Sequence, residues 1–319
     1  MSELIENIFN LDDTVTISNN RNKEDILEVG PILGKTFEGS GIKTFEVNNQ
    51  QHFLNFSEAY FYGEVEITLT GGDDKITLEN NWFPRCFSQM ILNIGGKEIE
   101  GIHEAVGEAS TIVNFIMSTD IYRKTYGQLS GWFPDTNKGD NDIDNIDYNE
   151  GFYKRLKFYN SKKKFSFMFP LKYLFGFTEY NKILYLIKIR LELNLKTESE
   201  INSNIFYGST GTTGKLKFNK VELHIPHITP SYNIEKKVLA RLNTGKPIDV
   251  VFFKRSMNSK TIDTGENCSW VLGSYTNSVR FVYVVFKNQD ISFEKNNSLF
   301  TGTKIKKANI TIKWYVLSY

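Results

Sequence analysis

The chain has 319 residues, a formal net charge of +1 and an aromatic content of 14%. That length permits one large β-domain or two ordinary domains, with enough core to fold without disulfides or metal. The near-neutral balance argues against a strongly electrostatic partner such as bulk nucleic acid or an anionic membrane, leaving room only for a local basic patch. Two cysteines, Cys86 and Cys268, form neither a disulfide framework nor a zinc pattern. The N-terminus MSELIENIFNLDD carries acids and no signal-peptide core, and no apolar window approaches about eighteen residues, so an intracellular, reducing setting is expected. The sequons at Asn55, Asn267, Asn296 and Asn309 then read as chance matches.

Residues 1–40 are polar and read as an extended arm or edge. Strands are expected over Lys43–Val47, His52–Phe56 and Ala59–Thr70, the last ended by Gly71-Gly72-Asp73-Asp74. Phe87–Ile94 comes next, closed by Gly95-Gly96, a pair that suits a two-residue hairpin turn because both positions tolerate positive φ. Ala105–Tyr122 is the best helix, with Ile112, Phe115 and Ile116 as a short stripe. Gly127–Gly151 reads as a long acidic loop. Phe165–Leu195 reads as a strand, an aromatic corner closed by Gly176, and a long second strand. On that strand Tyr185, Ile187, Ile189, Leu191, Leu193 and Leu195 share one parity, while Lys188, Arg190, Glu192 and Asn194 take the other. The polar loop GSTGTTGK leads to strand Leu216–Ile225, and Pro226 and Pro230 mark a boundary at 226–232. Beyond it the strand pattern restarts over Ile248–Lys254, Trp270–Leu272, Val279–Phe286 and Ile305–Leu317.

No constellation passes as a site. Asp140, Asp142, Asp144, Asp147 and Glu150 imitate the first half of a calcium loop, but Asn145 stands where glycine is needed and Gly151 where the bidentate glutamate is needed. Gly208–Leu216 imitates a phosphate loop with the wrong spacing, and Leu216 replaces the magnesium-binding hydroxyl. His52, His103, His224 and His227 offer no set of three metal ligands, and Cys86, beside Arg85, has no nearby histidine to activate it. Lys154–Lys157 and Lys162–Lys164 are interleaved with Phe152, Tyr153, Phe158 and Tyr159, and Lys304–Lys307 repeats the basic character. Stacking on single-stranded nucleic acid is one reading, and a solvated surface over tucked-in aromatics is the favoured one. Trp132 in GWFPD reads as a buried loop anchor rather than a carbohydrate platform. Catalytic, cofactor-binding and metal residues are therefore expected to be none.

The order of several segments resembles one family. These are GSGIKTFEV, HFLNFSEAYFYGEVEI, ENNWFPRCFSQMILNIGGKEIE, GEASTIVNFIMS, GWFPD, FMFPLKYLFGF, KPIDVVFFKR, Trp270 and VRFVYVVFKN. Together they look like the double jelly-roll major capsid proteins of Polinton-like elements, adintoviruses and virophages, with their endogenous copies. The resemblance implies an all-β jelly-roll sandwich, with a first jelly roll over 1–228 and a second, side by side, starting at 229 and incomplete at Tyr319. It implies a structural role without enzymatic activity or cofactor: homotrimeric, pseudo-hexagonal capsomers tiling an icosahedral shell, in contact with neighbouring capsomers and a minor capsid (penton) protein. No membrane span and no sequence-specific nucleic acid would be involved, and assembly would occur in the host cell. The alternatives are a carbohydrate-binding β-sandwich and, after it, a β-rich enzyme of cupin or glycosidase type. Exposed edges in the second half would make the isolated chain oligomeric or poorly soluble.

Overall fold

The computed structural model describes residues 21–33, 37–48, 52–71, 76–135, 149–208, 212–245, 250–262, 270 and 280–287. The strands are β1 (Arg21–Val29), β2 (Gly41–Asn48), β3 (Phe53–Leu54), β4 (Tyr60–Thr70), β5 (Ile76–Leu78), β6 (Phe87–Ile94), β7 (Lys97–Ile102), β8 (Lys164–Pro170), β9 (Lys188–Leu195), β10 (Phe206–Gly208) and β11 (Thr213–Pro230). The helices are α1 (Trp82–Arg85), α2 (Val106–Met117), α3 (Asp120–Lys124), α4 (Tyr126–Leu129), α5 (Glu150–Lys162), α6 (Glu198–Ile205) and α7 (Tyr232–Asn243).

One sheet runs β1-β11-β4-β8, with β3 also on β11; the second runs β2-β9-β6-β7. From β2 onward the chain passes to and fro between the two sheets: β4 lies in the first, β6 and β7 in the second, β8 in the first, β9 in the second and β11 in the first. Every pairing is antiparallel. This alternation is the jelly-roll sandwich, as the sequence leads one to expect.

Period-two patterning fixes which side of each strand faces in. Ile189, Leu191, Leu193 and Leu195 of β9 are buried against Phe61, Val65 and Ile67 of β4 and Leu216, Phe218, Val221, Leu223 and Ile225 of β11 within one core. Phe83, on the short α1, plugs that core, its ring 4.7 Å from Phe167, 5.2 Å from Phe87 and 5.6 Å from Phe61. Gly63 is demanded by this packing, because a Cβ there would lie 2.3 Å from the Phe167 ring. The Gly95-Gly96 hairpin forms as expected, with φ of 60° and 82°, and joins Ile94 to Lys97.

Several expectations are corrected. The long second strand is confined to Lys188–Leu195, because Leu186 takes φ +55° and breaks the extended run. His52–Phe56 shrinks to the two residues of β3, with a 3-10 turn after it over Phe56–Glu58. The end of the expected acidic loop and the basic stretch after it form α5, started by Asn149 Oδ1 accepting from Phe152 N–H. Its buried line is Phe152, Arg155 and Tyr159. Helix α6, for which the sequence raised no expectation, carries a full capping box between Thr197 and Glu200. β11 continues through Pro226 to Pro230 before α7 begins, so the expected boundary coincides with the end of a long strand. Residues 250–262 and 280–287, expected to contain strands, form no strand ladder among the described residues. Trp270 is described, but its neighbours to Leu272, together with Ile305–Leu317, lie outside the described residues. Among the described residues no helix is long and apolar enough to cross a membrane.

Candidate functional site

The most built-up polar feature joins the sandwich to the segments beyond the boundary. Three glutamates four residues apart, Glu100 on β7, Glu104 in the turn after it and Glu108 in the first turn of α2, each hold one of those segments. Glu100 is 1% exposed. Its Oε1 accepts from Gly176 N–H at 2.8 Å and Arg255 N–H at 2.7 Å, and its Oε2 accepts from Phe177 N–H at 2.9 Å. One carboxylate thereby ties β7, the aromatic corner and residue 255 together. Burial pushes the Glu100 carboxyl above its ordinary range, and the three N–H donors only partly restore it.

Around that bond the chain packs closely. A Cβ on Gly176 would lie 2.5 Å from the Phe253 carbonyl oxygen, so only glycine permits this approach. The Phe252 ring sits 5.0 Å from Phe177. The Arg255 guanidinium donates to the Lys172 carbonyl and to Glu179. Glu104 accepts from the Ser259 N–H at 2.8 Å and from its hydroxyl at 3.1 Å. Glu108 pairs with buried Arg85 at 3.1 Å and with Lys287. Burial alone would raise the Glu108 carboxyl, but Arg85 and Lys287 outweigh it and hold it at about 2. Val251, Phe281 and Tyr283 remain exposed on the docked segments.

The structure places several of the residues singled out in the sequence. Trp132 is fully buried, with Phe115 edge-on at 5.0 Å, so it is an anchor and not a platform. Arg155 is also fully buried, bonded to Asp135 at 3.0 Å and to the Phe133 carbonyl at 2.9 Å. Lys154 pairs with Glu150, and Lys164 with Glu66. Phe152 and Tyr159 belong to the buried face of α5, Phe158 packs partly buried against the core, and Tyr153 is exposed. Asp140, Asp142, Asp144, Asp147, Cys268 and Lys304–Lys307 lie outside the described residues, as do Ser209, Thr210 and Gly211 of the loop that imitates a phosphate site. Leu216 of that loop lies in β11 as a core residue.

The histidines separate. His103 bonds Gln89 and Glu98, and His52 stacks obliquely on His227 at 4.7 Å. His224 lies on β11 beside Glu222. Cys86 is fully buried, and burial pushes its thiol up, out of the reactive range. In native protein Cys86 is therefore expected to resist a thiol reagent and to react only on unfolding. Mass spectrometry of alkylated peptides checks this, and rapid native labelling of Cys86 would contradict its burial.

The glutamate clasp is not legible in the sequence. Its one trace there is the acid spacing in KEIEGIHEAVGE, and its partners lie 155 and 179 residues away for Arg255 and Lys287.

Comparison with known proteins bears on the whole arrangement. A family model for the double jelly roll-like domain matches residues 76–319, across both the sandwich and the docked segments. The chain belongs to this double jelly-roll family. Among solved structures it is similar to a chain of the Sputnik virophage cryo-EM structure, at 10% identity and a TM-score of 0.49, covering 70% of this chain and 51% of that one. It is similar to the Faustovirus major capsid protein at 9% identity and a TM-score of 0.43, covering 69% and 56%. For a chain of the PBCV-1 virus capsid the identity is 12% and the TM-score 0.34, covering 67% and 44%. The chain thus spans about half the length of these structures. No curated protein matches it.

Proposed function

We propose that this protein is a major capsid protein subunit that builds a virus shell. The observation that carries the proposal is the double jelly-roll family match running through the joint at 226–232. The clasp supports it: Glu100, Glu104 and Glu108 seat the segments beyond the joint directly on the first sandwich. In this reading the first jelly roll spans 1–228 and the second begins at 229, with α7 near its start. Three copies form a pseudo-hexagonal capsomer, and capsomers contact one another and a minor capsid (penton) protein within a virion assembled in the host cell. The Polinton-like, adintovirus or virophage lineage is the one the sequence segments favour.

The chemistry suits such a role. A near-neutral surface packs against its own copies with little self-repulsion. Exposed Val251, Phe281 and Tyr283 offer apolar contact area beyond the joint. The buried positions of Trp132 and Cys86 support assembly over carbohydrate binding or thiol catalysis. Mass photometry of the purified chain tests the proposal. Trimers that persist on dilution are expected, and a monomer at every concentration would contradict it.

A further inference from the structure

We propose a divalent transition-metal site, of the zinc class, formed by Glu28, Glu222 and His224 on the outer face of the first sheet. One oxygen of each carboxylate and one ring nitrogen of the imidazole lie within 4.8 Å of one another. The site arises from strand geometry. Val221, Leu223 and Ile225 of β11 point into the core, so Glu222 and His224, two residues apart, share the opposite face. The β1–β11 register places Glu28 directly across from His224. Three ligands from two hydrogen-bonded strands therefore converge without any loop having to move.

The spacing suits the ion. His224 Nε2 is 3.2 Å from Glu222 Oε2. Ligands about 2.0–2.2 Å from a tetrahedral zinc lie roughly 3.3–3.6 Å apart. His224 is 8% exposed, walled by the Tyr60 and Tyr62 rings at 5.2 and 5.3 Å, whereas Glu28 is exposed. The imidazole is held rigidly at the base and the outer carboxylate closes over an ion arriving from solvent. One imidazole with two carboxylates favours zinc and its neighbours over magnesium or calcium. The competing charge is Lys220, whose ammonium lies 2.9 Å from Glu222 Oε2 and is 44% exposed. It stands in for part of the cation's charge and can swing into water when the ion enters.

Such a site has a structural use. β1 is an edge strand that, among its described side chains, sets Leu27 and Val29 against the core, both partly buried. A metal bridging Glu28 to β11 would cross-link that edge to the sheet and cover an exposed strand flank. This goes beyond the shell-building reading and does not depend on it.

The test is zinc titration of metal-stripped full chain at pH 7.5, by calorimetry and by thermal unfolding. One zinc per chain is expected, with Tm rising a few degrees at saturating zinc and no rise with magnesium. Glu28→Gln, at an exposed position that leaves folding intact, is expected to weaken zinc at least tenfold. Lys220→Met is expected to tighten it, because the ammonium on Glu222 no longer competes with the ion. Absence of a zinc-dependent shift, an equal shift with magnesium, or zinc affinity unchanged in Glu28→Gln would each overturn the site.

Discussion

Glu100→Ala is expected to free residues 250–257 from the sandwich and to lower stability by about 3 kcal/mol. The substitution strands three backbone N–H groups, those of Gly176, Phe177 and Arg255, that now share one buried carboxylate. Buried donors without partners are costly because folding has already removed them from water. For a chain of 319 residues the loss lowers Tm by roughly 4–5 °C. Hydrogen exchange separates this local event from general weakening. Peptides covering 250–257 and the corner 171–179 lose protection first, while β9 and β11 keep theirs. Glu100→Gln, which keeps an acceptor oxygen, falls between alanine and the native residue. Unchanged exchange at 250–257 in the alanine variant would show that the carboxylate does not hold the joint.

Acid is expected to open the other end of the clasp through Glu108. Its carboxyl sits at about 2 in the folded chain against an ordinary 4.5. A depressed carboxylate contributes stability that is complete above 4.5 and fades as pH falls toward 2. The gap corresponds to about 3 kcal/mol. Glu100 works in the opposite sense: its raised carboxyl favours the folded state below 4.5 and gives that up as pH rises, so it partly offsets the loss on acidification. Glu108→Gln removes the acid-labile part but leaves Arg85, 2% exposed, without its counter-charge. The variant is expected to be weaker by about 3–5 kcal/mol at pH 7 and to respond less to acid between pH 5 and 3. Urea unfolding at stepped pH measures both. Identical pH slopes for the variant and native protein would assign the acid response elsewhere.

The features legible in the sequence are those that rest on local period or turn chemistry. The alternation of Ile189, Leu191, Leu193 and Leu195 with Arg190, Glu192 and Asn194 marks a strand buried on one face, and β9 is that strand. The paired glycines at 95 and 96 specify a tight turn, and a helix forms where Ala105–Tyr122 is expected. That helix stops at Met117, and it buries Ser110, Thr111 and Asn114 while Phe115 and Ile116 of the expected stripe stay exposed. The features hidden from it rest on tertiary partners. Arg155 interrupts the apolar stripe of α5 with a charge, so the segment reads as a basic surface run until Asp135 and the Phe133 carbonyl are seen around it. Leu186 gives no local sign of a positive φ. The capping box at Thr197 and Glu200 is a local signal that the strand pattern on either side of it masks. Glu28 cannot be joined to His224 without the β1–β11 register, nor Glu108 to Lys287 without the fold.

The most direct test of the account is single-particle cryo-EM of the purified full chain at high concentration. The account predicts three-fold particles of pseudo-hexagonal outline, in which residues 250–257 run against the corner at Gly176 with Glu100 between them. Particles without three-fold symmetry, or a sandwich from which residues 250–257 are displaced, would contradict it.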